Sequence, residues 1–276
     1  MSPHISIKGE TVFYLAGFPV TNSFLSSVIV VIVFFFIGRY YYQEIKKSDR
    51  SLVFYALHGL FKGMYDMFRS VLQDKIKIFY TLLGGFFFFI LMNNWSGLVP
   101  GVGSILIKEP HKAVIEELKT DYSPEEGTIV MDEQAEKEET ATHNIPLLRG
   151  GTADLNTTLA LALVSVFLTQ FYGFKFLGPK KHLSKYFNFK DPIMIMLGPL
   201  EIIQEAARII SFSFRLYGNI FAGEVLLTIV PFLLPSLFSF VVAPMFFMEI
   251  FVGGVQALVF VMLSAVFINM AIVEHH

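Results

Sequence analysis

The chain has 276 residues, of which 54% are hydrophobic and 16% charged, with a formal net charge of −2 and a mean hydropathy of +0.59. Soluble domains are about 25% charged, so these values exclude a disordered chain, an ordinary soluble enzyme and a nucleic-acid binder, which would need a basic face. With Cys at 0, disulfides, thiolate metal sites and cysteine nucleophiles are excluded too. What remains is an integral membrane protein.

Met1–Glu10 is polar, and the apolar stretch after it lacks a positive n-region and a small-residue cleavage site, so a signal peptide is not expected. Phe24–Ile37, continued by Tyr40–Tyr42, reads as a first spanning helix closed by Arg39, Lys46, Lys47 and Arg50. Short Lys/Arg-rich loops stay cytoplasmic, which puts the N-terminus outside. In Ser51–Gln73, Leu52, Tyr55, Ala56, Leu60, Phe61, Met64, Met67, Phe68, Val71 and Leu72 recur at helical spacing, interrupted by Lys62, Asp66 and Arg69. This predicts an amphipathic helix at the cytoplasmic surface; the pattern fits equally a helix buried against other subunits.

Ile78–Val99 is the second span, ending at Asn93, Asn94, Trp95 and Pro100, with Trp95 suited to the membrane–water boundary. Gly101–Gly151 is the one sizeable hydrophilic block. Between Lys108 and Asp154 it carries 12 acidic and 5 basic residues, an excess that fits the outer side and, over Met131–Glu139, a solvated loop. Leu155–Leu177 returns inward and is followed by Lys175, Lys180, Lys181, Lys185 and Lys190, on the same side as the first basic loop.

Ile193–Val230 and Ser236–Val273 are too long to cross upright: 38 residues each make a helix of about 57 Å against a hydrocarbon core of about 30 Å. They must tilt, bend or run along the interface. Pro231 and Pro235 bracket the reversal between them, and Pro244 is a candidate kink. The expected fold is an all-α membrane protein of five transmembrane helices plus one amphipathic interfacial helix. The last two helices are long, tilted and antiparallel, and the C-terminus is cytoplasmic. No repeat period appears, which disfavours a transporter built from duplicated halves.

Ionisable residues concentrate in these last two segments: Glu201, Glu205, Arg208, Arg215, Glu224 and Glu249, with Gln204, Asn219, Gln256 and Asn269. A charge at the bilayer centre costs about 2.5–3.5 kcal/mol or more, so six of them predict a polar path lined by protein rather than a set of structural pairs. Glu201, Arg208 and Arg215 are spaced by seven and fall on one stripe, with Glu201 towards the cytoplasmic end; Glu205 lies near that face, and Glu224 is on the opposite side. With Gln256 set level with Arg215 in the antiparallel partner, Glu249 falls about 10.5 Å further out, close to the depth of Glu224. Arg215 stands between an outer and an inner group of carboxyls with no acid within a turn. It cannot shed its proton, which makes it a barrier rather than a carrier. The chain thus divides into an N-terminal outer segment (1–23), the first span, amphipathic helix and second span (24–100), an acidic extramembrane loop (101–152) and an ion-pathway helical domain (153–276).

Phe214-Arg215-Leu216-Tyr217-Gly218-Asn219 with Ala222-Gly223-Glu224 resembles the signature of subunit a of the F-type ATP synthases, bacterial type. Pro199-Leu200-Glu201 with Glu205, Gln256-Ala257, the stretch Thr152-Ala153-Asp154-Leu155-Asn156-Thr157-Thr158-Leu159-Ala160-Leu161, and Met92-Asn93-Asn94 with Pro100 match it in the same order. The resemblance runs from about Phe24 onward. It implies a non-catalytic stator subunit in the cell inner membrane, beside a rotating ring of c subunits. Protons enter by one half-channel, ride on a ring carboxyl and leave by an offset half-channel, coupling ion flow to ATP synthesis.

By the same resemblance Arg215 is the barrier and counter-charge to the c-ring carboxylate, with Asn219 and Gln256 holding or flanking it. Glu224 and Glu249 line the outer half-channel, Glu201 and less directly Glu205 the inner one, and Asn94 and Asp154 the outer entrance. Asp154 reads equally as the cap of the helix it precedes. The implied partners are the c-ring, peripheral stalk b subunits, other ATP synthase subunits and membrane lipid. The resemblance implies no cofactor or metal, and the proton is the favoured coupling ion. Gly84-Gly85, Gly150-Gly151 and Gly253-Gly254 lack the Lys-Ser/Thr context of a phosphate loop, so ATP chemistry belongs to partner subunits.

Two features depart from the family pattern. Where many members carry one His and one Glu, this chain has Glu at both 224 and 249, and neighbouring carboxyls are expected to share a proton. The acidic loop is also longer than usual. His58, His111 and His182 read as surface or interface residues, and His275 and His276 are too few for a metal site. A standalone secondary ion/proton transporter and an inert membrane scaffold are the competing readings. The first would need repeated halves, and the second leaves the polar stripe at matched depths unaccounted for.

Overall fold

The computed structural model describes residues 9–99, 101–102, 105–108, 144–184, 192–233 and 238–273. The chain opens with a hairpin, β1 (Thr11–Leu15) and β2 (Phe18–Thr21), paired antiparallel. Its turn residues Ala16 and Gly17 both have positive φ, 49° and 84°, the twist that a two-residue hairpin loop requires. Composition gave no sign of this hairpin, because its apolar residues merge into the run that follows. Thr21 then caps α1 (Asn22–Glu44), its hydroxyl accepting from the Phe24 N–H at 3.2 Å.

A helix α2 (Leu52–Leu72) follows, capped by Ser51, and a single 3-10 turn (Gln73–Lys75) joins it to α3 (Ile76–Ser96). The redirection sits at Gln73, a non-glycine residue at φ 50°. The amphipathic pattern of α2 holds in its C-terminal half. Phe54, Met64, Phe68 and Leu72 are buried, while Lys62, Asp66 and Arg69 are exposed on the other side. The buried face packs on α3 and on the last helix of the same chain, while Leu52, Tyr55, Ala56 and Leu60 of the expected apolar face are exposed.

Beyond α3, β3 (Leu106–Lys108) pairs antiparallel with β4 (Asn144–Pro146). This ribbon closes the base of the acidic loop, whose residues 109–143 lie outside the described residues, as do Pro100, His111, Lys185, Lys190, Pro235, His275 and His276. After a 3-10 turn at Gly151–Ala153 come α4 (Leu155–Leu177), the short α5 (Pro179–Ser184), and the two long helices α6 (Pro192–Leu233) and α7 (Phe238–Ile272). Pro231, expected to bracket the reversal, lies inside α6, and Pro199 and Pro244 are also inside helices. Proline removes one internal N–H donor but does not stop a helix whose neighbours hold it.

Among the described residues five stretches are long and apolar enough to cross a membrane: Asn22–Glu44, Leu52–Ser96, Leu155–Leu177, Gly198–Leu233 and Val242–Ile272. This is an all-α, multi-pass membrane protein with two small β-ribbons, and α6 and α7 pack against each other. The core is aromatic and small-residue packing between α3, α4, α6 and α7, with Phe79, Leu83, Ile90, Leu216, Val261 and Ile268 almost fully buried. Ala162, Ala257 and Ala265 are each 0% exposed, which lets helix backbones approach where lipid offers no hydrophobic drive. Two hydroxyl pairs stitch the same seams, Ser165–Ser264 at 2.8 Å and Thr158–Ser213 at 3.3 Å.

Candidate functional site

Two cavities flank the long helix pair at different heights, and the polar residues of the sequence divide between them. The first, of about 250 Å³, lies between the end of α3, the segment 146–153, and the middles of α6 and α7. Asn94, Arg149, Glu224, Thr228 and Glu249 are among its lining residues. The second, of about 260 Å³, lies towards the other end of α6, where Gln170, His182, Glu201, Gln204, Glu205 and Arg208 face Phe267 and Met270. Arg215 lines neither cavity. It sits between them along α6, seven residues from Arg208 and five from Ile220, about 10.5 Å and 7.5 Å of helical rise.

Arg215 is exposed on the outer face of the helix pair, beside the exposed Phe214 and Ile210, while Phe212, Ser213, Leu216 and Tyr217 are buried on the other face. Its Nη2 donates to Ser211 Oγ at 3.3 Å. Among the described residues no carboxylate lies within ion-pairing distance of it. One turn along, Asn219 Nδ2 donates to Gln256 Oε1 at 2.9 Å. The pair lies one turn beyond position 215 and ties α6 to α7 there.

Glu224 and Glu249 line the same cavity, as the two spacings required. They do not pair with each other. Glu224 is taken by Arg149, whose Nε donates to Oε1 and Oε2 at 2.9 and 3.1 Å and whose Nη2 donates to Oε2 at 2.9 Å. The expectation of two carboxyls sharing a proton is thus corrected, because a cation stands where only a second acid was foreseen. Glu249 is 7% exposed, and its carboxyl packs against Gly223. Arg149 was invisible in sequence as a site residue: it has no periodic partner and is one basic residue in a block of acids. Its only cue is position, five residues before Asp154.

Asn94 is buried and bonded at both ends. Its Nδ2 donates to the Gly253 carbonyl at 2.8 Å, and its Oδ1 accepts from Thr152 Oγ1 at 2.6 Å. Asp154 is the N-cap of α4, accepting from the Asn156 N–H at 3.0 Å. Of its two readings, the cap is the one with a bond. Trp95 Nε1 donates to the Ile250 carbonyl at 3.1 Å, fastening α3 to α7 beside the cavity mouth.

In the second cavity Arg208 bonds Glu205, Nη1 reaching both carboxylate oxygens at 3.0 Å, and lies 3.7 Å from the Phe267 ring centroid. Glu201 and Gln204 line the same space. His182 differs from its reading as a surface residue. It is 3% exposed, its Nε2 is 2.7 Å from Gln170 Oε1, and its ring packs over Gly173 and against Phe174. The short α5 folds the imidazole back onto α4, a contact that no periodicity in the chain encodes. His58 is exposed and its Nδ1 is 2.9 Å from the Tyr41 hydroxyl. Among the described residues no cluster of His, Asp and Glu has the make-up of a metal site.

Two cavities lined by charged side chains at different depths, separated along one helix by an exposed guanidinium, have the parts for ion transfer. A family model described as ATP synthase A chain matches residues 23–269. The chain belongs to the ATP synthase A chain family, the non-catalytic, proton-conducting stator subunits of the Fo membrane sector.

Proposed function

We propose that the two cavities are offset half-channels and that protons pass between them only on carboxyls carried by a rotating ring of c subunits, with Arg215 as the barrier. The observation that carries this reading is the arrangement along α6: one cavity ends below Arg215, the other above it, and Arg215 belongs to neither and faces outward. A ring carboxyl arriving beside the guanidinium is favoured in its ionised form, and one facing lipid in its protonated form. Glu224 and Glu249, with Asn94 at the wall, serve the outer half-channel; Glu201, Glu205 and Arg208 serve the inner one. Asn219 and Gln256 fix the height of α6 against α7 next to the barrier. Asp154 contributes by capping α4 at the outer end.

The orientation follows from the basic residues. Arg39, Lys46, Lys47 and Arg50 after α1, and Lys175, Lys180 and Lys181 after α4, place those ends in the cytoplasm. The N-terminus is then outside and the cavity containing Glu224 opens outward. The partners are the c-ring on the Arg215 face and, through the rest of the complex, the peripheral stalk b subunits. A membrane potential contributes about 2.3 kcal/mol per charge per 100 mV to the transfer.

The absence of cysteine from the sequence makes the test direct. Thr228→Cys and Gln204→Cys are introduced singly into the intact complex and treated with a membrane-impermeant thiol reagent from each side. The reading predicts labelling of position 228 from outside and of position 204 from the cytoplasm. Labelling of both from one side would overturn it.

A further inference from the structure

We infer that Arg149 is a positioning residue of the outer cavity. It clamps Glu224 as one half of a static ion pair, and so leaves Glu249 as the carboxyl that exchanges protons there. This rests on the half-channel reading above and goes further by dividing the labour between the two carboxyls.

The guanidinium is 6% exposed and uses three N–H···O bonds of 2.9–3.1 Å on one carboxylate. Such a forked, charge-assisted contact is among the stronger ones a side chain makes. Arginine also cannot give up its proton. The seat of Arg149 is fixed independently of Glu224. Its own N–H donates to Ser26 Oγ on α1 at 3.2 Å, the Leu147 N–H donates to the Ile105 carbonyl at 2.8 Å, and Gly150 lies against Gly97. The pair therefore ties the β3–β4 segment to the middle of α6.

Glu249 stands on the opposite wall. Among the described residues it has neither a hydrogen bond nor an ion pair, and its carboxyl is aimed at Gly223 and the cavity. Arg149, Glu224 and Glu249 are the charged groups lining this cavity, and Tyr217 lies within reach of Arg149, Asp154 and Glu224. In the transfer, Glu249 takes a proton from cavity water and releases it to a ring carboxylate, returning to the carboxylate form, while Glu224 and Arg149 exchange nothing.

The test measures ATP-driven proton pumping by the whole complex in inverted membrane vesicles across a range of pH. The variants are Arg149→Gln, Arg149→Lys, Glu249→Gln and the double change Arg149→Gln with Glu224→Gln. Arg149 is 6% exposed and Glu224 39%, so removing the arginine leaves a partly exposed carboxylate without its counter-charge, while removing both leaves no unpaired charge. Arg149→Gln should therefore lower pumping by about tenfold or more and displace the pH profile, and the double variant should regain much of the loss. Arg149→Lys keeps the charge without the fork and should fall between, with a displaced profile. A double variant no better than Arg149→Gln, or an Arg149→Lys profile equal to that of the unaltered complex, would overturn the inference. Where Arg149→Gln fails to assemble, the Lys variant decides. Glu249→Gln separates the two levels: normal pumping there removes the half-channel reading itself. Lost pumping there, with unaltered behaviour in every Arg149 variant, removes only the role of Arg149.

Discussion

Asn219 on α6 and Gln256 on α7 are joined by one hydrogen bond of 2.9 Å, one helical turn beyond Arg215. Two polar side chains at this depth would be costly apart, and together they fix the relative height of the two helices that carry the charged groups. A neutral hydrogen bond contributes about 0.5–1.5 kcal/mol net. Gln256→Ala should therefore slow ATP-driven pumping by up to about tenfold while the complex still assembles. Vesicle pumping rates normalised to the amount of complex check this, and an unchanged rate would show that the bond does not position the barrier.

Gly223 is the other tight point of the helix pair. A Cβ at this position would run into the carboxyl of Glu249. Gly223→Ala should push Glu249 out of its place and reduce pumping at least about fivefold. The scale is that of overpacking, about 1–3 kcal/mol. Gly85→Ala on α3 meets nothing within 4 Å and should pump normally. Equal rates for the two variants would contradict the placement of Glu249.

These two residues also mark how far the sequence could be read. The charged stripe and the opposite phase of Glu224 follow from 3.6 residues per turn and were legible; the shared depth of Glu224 and Glu249 needed in addition an assumed height of α7 against α6. The family signature around Arg215 was legible as well. Arg149 and His182 were not, because both reach the cavities from connecting segments, where side-chain direction is set by tertiary contacts and no period operates. The N-terminal hairpin was hidden because its alternation is short and its apolar residues run into α1.

His182 lines the cavity that holds Glu201 and Glu205, packing over Gly173 and bonding Gln170. Gly173→Ala would force its ring aside. The inner cavity should then open, and a cysteine at position 204 should react with a cytoplasmic thiol reagent several-fold faster than in the Gly173 background. An unchanged labelling rate would show that the imidazole does not shape access.

Asn22 couples the N-terminal hairpin to the end of β4. It is 0% exposed, its Oδ1 accepts from the Glu10 and Ser23 N–H groups, and its Nδ2 donates to the Pro146 carbonyl at 3.2 Å. Asn22→Leu leaves these groups unpaired at about 1–3 kcal/mol each where they stay buried. Limited proteolysis of the detergent-solubilised complex should cut the first twenty or so residues faster, with pumping less affected than in the Gly223 variant. Unchanged proteolysis would place the anchor elsewhere.

The central claim is that Arg215 separates two half-channels that communicate only through a moving partner. It is tested most directly by ATP synthesis in the reconstituted complex carrying Arg215→Ala, driven by an imposed proton gradient. The account predicts that synthesis stops although the complex assembles, because no fixed cation then discharges the ring carboxyl or blocks the direct path. Continued gradient-driven synthesis would contradict it.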